Sequence, residues 1–261
     1  MFEDLFIRVA SERLDREAAG IAALNACPEI YIKAEKLKEF SVRTIAATKK
    51  ILENFREHTI HAPFMDIWPG TAAEDIRRLS LKKMQQVMEI AAALESKLVV
   101  MHFNYDPIYY SQQFKQWLER SAHFFSTLLQ DDTGPFIALE NIAEPTPYIV
   151  LQLMKKVGRP RLIHCFDFGH HQVFARIPFQ EWLFYLAPRQ HIHFHLHDNN
   201  GNCDDHLALG LGSIDWQAAK TVMAGLPCPF SIALEPHAAD TMRASAAYYQ
   251  KNFLAAQKPG C

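Results

Sequence analysis

The sequence predicts one (β/α)8 barrel, and three observations carry that expectation. The chain of 261 residues is close to the ~250 residues typical of such a barrel. Short apolar or β-branched runs recur every few tens of residues with helical segments between them, the rhythm of strands alternating with helices. Composition is even along the chain and no G-x-G-x-x-G follows the first run. One closed parallel sheet spanning residues 1–261 is therefore expected, rather than a dinucleotide fold or a second domain.

The expected strands, in order, are Leu5 to Val9, Glu29 to Ile32, His58 to Pro63, Lys97 to Phe103, Phe136 to Asn141, Leu162 to Phe168, His191 to His197 and Phe230 to Glu235. Helices should start at Ser41, at Thr71 with Glu74 three residues on as a capping box, at Thr146 with Pro147 in the first helical position, and at Asp240. Gly158 and Gly225 should end helices. Phe114, Trp117, Leu118 and Phe125 share helical spacing and are expected in the core, whereas Arg77, Arg78, Lys82 and Lys83 form a solvated face. One echo stands out: Ile137-Ala138-Leu139-Glu140 recurs as Ile232-Ala233-Leu234-Glu235, so two strands end on the same carboxylate.

Composition narrows the function classes. Apolar residues make up 49% and charged residues 21% of the chain, the balance of an ordinary globular protein. A net charge of −2 supplies no basic field, which argues against nucleic acid as partner. No apolar run approaches the ~18 residues of a membrane span, and Met1 to Ala10 carries Glu3 and Asp4 in place of a basic leader, so a soluble cytoplasmic protein is expected. Five scattered cysteines, with no C-x-x-C pair, fit thiols in a reducing compartment.

Side chains alternate across a strand. In Ile192-His193-Phe194-His195-Leu196-His197-Asp198 the apolar face should meet the helices and the three histidines the barrel interior. The same alternation sends Glu140, Glu235, Asp167, His102 and His61 inward, each at the end of its strand, while His164 faces the helices as a core histidine. A polar residue closing a barrel strand is a catalytic candidate, because sites of this architecture form at the C-terminal face. Five strands delivering His or carboxylate groups to one rim would crowd uncompensated charge there unless a cation were bound.

The ordered series His61-Ala62-Pro63-Phe64, Met101-His102, Leu139-Glu140-Asn141, Phe166-Asp167-Phe168-Gly169-His170, His195-Leu196-His197-Asp198-Asn199, Asp204-Asp205-His206 through Gly210 to Trp216, and Leu234-Glu235-Pro236-His237 resembles the xylose-isomerase-like TIM barrels. That superfamily includes sugar and sugar-phosphate isomerases and epimerases and endonucleases of the endonuclease IV type. The resemblance implies Glu140, Asp167, His195 and Glu235 as ligands of a divalent metal ion (Zn, Mn, Mg or Co), with Glu140 and Glu235 as the catalytic pair. It implies His61, His102, His170, Asp204 and His206 as further metal or substrate ligands, filling the nine positions of the trinuclear endonuclease site. The chain departs from the ketose 3-epimerases in having Asn200, Gly201 and Asn202 where an arginine is expected, and its first strand shows no distinctive polar end.

Two activities follow. A metal-dependent isomerase or epimerase acting on a small sugar or sugar phosphate would pass a proton between two glutamates through an enediolate. A multinuclear zinc phosphodiesterase acting on DNA is the alternative. Tyr105, Tyr109 and Tyr110 follow the His102 strand and suit stacking on a sugar or base, covering the barrel, or a contact in a homo-oligomer.

Overall fold

The computed structural model describes residues 5–131, 133–186 and 191–254. Its eight strands are β1 (Leu5–Ala10), β2 (Cys27–Tyr31), β3 (Thr59–His61), β4 (Leu98–His102), β5 (Phe136–Glu140), β6 (Leu162–Asp167), β7 (Ile192–Leu196) and β8 (Phe230–Leu234). Each pairs in parallel with the next, and β8 returns to β1 through Leu5↔Ile232 to Ile7↔Leu234, closing the barrel. The helices are α1 (Leu14–Ala23), α2 (Val42–Leu52), α3 (Glu74–Leu94), α4 (Pro107–Tyr110), α5 (Phe114–Leu128), α6 (Tyr148–Val157), α7 (Phe168–Phe174), α8 (Phe179–Leu186), α9 (Trp216–Ala224) and α10 (Ala239–Tyr249). Among the described residues, no helix is long and apolar enough to cross a membrane.

Alternation along each strand builds two shells. Ile7, Ile30, Ile60, Val99, Leu139, Phe166, Phe194 and Ile232 face outward into the layer shared with the helices, where Trp117 and Phe125 of α5 are fully buried. Inside, Leu98, Val100, Ala138, Ile163 and Cys165 form one apolar group and Phe6, Cys27 and Ala233 another. These side chains fill the lower barrel, so the polar interior residues are pushed toward the upper rim.

Local signals were kept in some places and overridden in others. Ser41 caps α2, accepting from the backbone N–H of Thr44, and Gly158 ends α6 in the left-handed region at φ 63°. Gly225 ends α9 with a right-handed φ of −88°. The Thr71–Glu74 box does not form: α3 starts at Glu74 behind Ala73, and the Thr71 hydroxyl accepts from the Ala73 N–H while its carbonyl accepts from Arg77. Thr146 is not a cap either, because Pro147 holds that position, and Asp240 lies inside the first turn of α10 behind Ala238. His164 faces outward as expected, buried beside Phe166. Cys165, Cys203 and Cys228 are free thiols, whereas Cys261 lies outside the described residues.

Candidate metal centre

The rim is built from strand ends. Register sets His102 beside Glu140, Asp167 beside His195 and His195 beside Ala233, so neighbouring strands present their terminal polar groups at one level. Above them opens a cavity of about 620 Å³, lined by Arg8, His61, His102, Glu140, His170, Asp204, His206 and Glu235 among others. Glu140, Asp167, His195 and Glu235, the four residues expected to converge, all do so.

His195 is the centre. Its Nδ1 lies 3.0 Å from Glu235 Oε1, 3.2 Å from Glu140 Oε1 and 3.9 Å from Asp167 Oδ2. His61 joins Glu140, His195 and Glu235 in a group of four with ligand atoms within 4.8 Å of one another, and its Nε2 bonds Glu140 Oε2 at 3.2 Å. His102 Nε2 is 2.9 Å from that same oxygen. All six side chains are buried.

A second group adjoins the first. His170, His197, Asp204 and His206 bring ligand atoms within 4.8 Å. Asp204 Oδ2 accepts from His206 Nε2 at 3.0 Å and stands 3.4 Å from His170 Nε2. His197 Nε2 lies 3.1 Å from both oxygens of Asp167, and its ring stacks on His206 at 3.8 Å. Asp167 also caps α7, accepting from the His170 N–H at 2.7 Å, which places His170 one turn above it.

Electrostatics show how much charge is concentrated here. Burial raises the Glu140 carboxyl, but His102 and His195 outweigh it and hold it well below the ordinary carboxylate range. Burial likewise opposes ionisation of Glu235, which Arg8 and His195 overcome, so it too is held low. Burial pulls the His195 and His170 imidazoles down; the carboxylates around His195, and Asp167, Asp204 and Glu140 around His170, push both well above the usual value.

The donor set fits a metal ion. Glu140 Oε1, Glu235 Oε1 and His195 Nδ1 are buried and make no hydrogen bond of acceptable geometry, although the two glutamate oxygens lie 3.2 and 3.0 Å from His195 Nδ1. Ligand atoms ~2.0–2.2 Å from one ion stand roughly 3 to 3.6 Å apart, so orphaned atoms at this spacing match a coordination shell. A mixed N and O set of this kind accepts Zn, Mn, Mg or Co.

The model for the family of xylose isomerase-like TIM barrels matches residues 18–252. The chain belongs to this family. Across 97% of its length it superposes on 97% of a D-tagatose 3-epimerase-like protein with a TM-score of 0.82 and 25% identity. Across 98% it superposes on the whole of a Thermus thermophilus protein whose crystal was soaked with ZnCl2, at 0.78 and 23%. A D-psicose 3-epimerase with D-tagatose from Clostridium cellulolyticum shares 16% identity over 96% of this chain and 99% of its own, with a TM-score of 0.78. In sequence, the chain is 32% and 27% identical to two uncharacterized proteins of Methanocaldococcus jannaschii over 169 residues. The match covers 61% and 63% of this chain, and it spans 57% and 64% of those two relatives.

Within this xylose-isomerase-like barrel, the sequence reading missed three residues that brace the site. Arg8, two residues before the end of β1, points inward with Nη1 3.4 Å from Glu235 Oε1 and its guanidinium 4.4 Å above the Tyr31 ring. Alternation from Phe6, an interior residue, would have found it. Glu29 is expected from sequence at a strand start; β2 begins instead at Cys27, which places Glu29 mid-strand and inside. Asp198 follows the β7 histidines and binds the loop behind them: Oδ1 accepts from the N–H groups of Asn199 and Ile214, and Oδ2 from Gly210 N–H and Trp216 Nε1–H. The three tyrosines stay off the cavity. Tyr105 and Tyr110 pack against Trp117, and Tyr109 is exposed.

Proposed function

We propose that this chain is a divalent-metal-dependent isomerase or epimerase of a small sugar or sugar phosphate, with Glu140 and Glu235 as the proton-transferring pair. One observation carries the reading: two buried, ionised glutamates flank one histidine at the floor of a cavity, and each keeps one oxygen without a hydrogen-bond partner. Likeness of fold to sugar epimerases supports it.

Glu140, Asp167, His195 and Glu235 would hold the ion, joined by His61. A cation held there would stabilise the negative charge that builds on a substrate carbonyl oxygen as the neighbouring carbon loses its proton. Both glutamates are kept ionised by their neighbours, so either can accept a proton without first losing one. They enter from β5 and β8, with β6 and β7 between them, and so approach a bound substrate from different sides. Arg8 holds Glu235 in place through its guanidinium, and Tyr31 supports the arginine from below.

A second reading, a multinuclear zinc phosphodiesterase, is favoured by the adjoining group His170, His197, Asp204 and His206. Metal content per chain separates the two when measured beside isomerisation of a sugar panel in D2O and nicking of abasic-site DNA. One ion per chain with deuterium entering a sugar carbon supports the isomerase reading. Three zinc ions with DNA cleavage and no exchange would replace it.

A further inference from the structure

We propose that Glu29 is the positioning residue of the metal site: from below, it fixes the tautomer and ring orientation that make His195 an Nδ1 ligand. The inference rests on the reading that His195 holds the cation. It does not depend on the substrate.

Glu29 is fully buried in mid-barrel, where apolar side chains such as Val100, Ala138 and Ala233 occupy much of the interior. Burying a carboxylate costs several kcal/mol unless its oxygens are engaged. The two oxygens of Glu29 are engaged differently. Oε2 accepts from Thr59 Oγ1 at 2.9 Å and from His193 Nε2 at 3.0 Å, which fixes the carboxylate plane. His193 is itself anchored, with Nδ1 2.7 Å from Ser231 Oγ, which lies 2.8 Å from His191 Nε2. A polar strut therefore runs up the barrel axis and ends on Glu29.

Like His195 Nε2, Oε1 makes no hydrogen bond of acceptable geometry. It lies 3.0 Å from His195 Nε2. With a cation on the Nδ1 side, where Glu140 and Glu235 face the ring, Glu29 is the carboxylate left to attract the ring's hydrogen, which sets it on Nε2 and leaves the Nδ1 lone pair to the ion. Removing the carboxylate would free the ring to rotate or to move its proton to Nδ1, where no cation could bind. Carboxylates behind metal-bound histidines commonly act this way, and losing one costs about 10–100-fold in metal affinity.

The test is a double-mutant cycle on metal affinity. Zn²⁺ and Mn²⁺ dissociation constants are measured by chelator competition for the full-length wild type, Glu29→Gln, His195→Ala and the double variant. Glu29→Gln should weaken binding by about 10–100-fold, and it should add no more than about twofold in the His195→Ala background, because its effect passes through that ring. In the zinc-loaded wild type, ¹⁵N-histidine NMR should show His195 bound through Nδ1 and protonated at Nε2; Glu29→Gln should mix the tautomers. Should Glu29→Gln fail to fold, Thr59→Val removes one donor holding Glu29 without touching His195, and it should weaken binding only while His195 is present. Wild-type affinity and an unchanged NMR signature in Glu29→Gln would overturn the proposal. An equal loss in the His195→Ala background would also overturn it, since Glu29 would then act through the fold. A wild type that binds no ion refutes the metal-site reading itself, an outcome distinct from a variant that binds as well as wild type.

Discussion

Replacing Asp198 by Asn should loosen the loop that delivers Asp204 and His206 to the candidate metal centre. Asp198 clasps that loop twice. Its backbone exchanges hydrogen bonds with Leu207, one residue from His206, and its carboxylate accepts four donors, two on each oxygen. Asparagine keeps one acceptor oxygen. If that oxygen retains the two shorter bonds, at 2.8 Å to Gly210 N–H and Trp216 Nε1–H, the amide NH2 faces the N–H groups of Asn199 and Ile214, and two bonds to a charged acceptor are lost. At roughly 1.5–3 kcal/mol each the cost is about 3–6 kcal/mol. For a domain of this size that lowers Tm by roughly 6–24 °C. Calorimetry of the metal-free and metal-loaded protein, with metal content measured on the same samples, is the assay. The loaded variant should also lose ions held by His170, Asp204 and His206 before those held by Glu140 and Glu235. A Tm drop under about 3 °C would refute the argument that this carboxylate organises the loop, because it lies below the cost of even one lost charged bond plus its unpaired donor.

Three further expectations follow from the geometry. Glu235→Gln, assayed with metal in excess and its occupancy measured, should lower turnover by at least ~100-fold, the scale of losing general acid–base catalysis; undiminished deuterium exchange into substrate would show that Glu235 is not an essential base. Burial raises the Glu144 carboxyl to about 7, so the folded state holds a proton that the unfolded chain releases near its usual value of 4.5. Its contribution is therefore complete below about pH 4.5 and is lost as pH rises through 7, worth on the order of 3 kcal/mol at most. Denaturant melts of Glu144→Gln should lack that decline between pH 5 and pH 8.5, and a variant whose melts track the wild type across this range would contradict the assignment. Finally, a Cβ at Gly169 would fall 1.9 Å from His197 Cε1, so Gly169→Ala should cost about 1–3 kcal/mol through overpacking. His197→Ala should relieve most of that cost in the double variant, and additive losses in the urea melts would rule out this contact as the cause.

Periodicity determined the barrel and most of its rim from sequence alone. Strand alternation is a local geometric property, so the inward direction of His61, His102, Glu140, Asp167, His195 and Glu235 followed once each run was recognised as a strand. Their common level at the rim followed from the rule that barrel sites gather at the C-terminal face. Caps were less legible. Ser41 formed its bond, whereas the Thr71–Glu74 pattern lost to a different local turn, because a cap is worth only ~1 kcal/mol and packing of a long helix decides where it starts. What tertiary structure alone decided is which groups touch across the barrel. Register and closure brought Glu29 of β2 under His195 of β7, and Arg8 of β1 against Glu235 after β8. Those contacts join residues far apart in the chain, and no local pattern encodes the shear and closure that align strands which are not sequence neighbours.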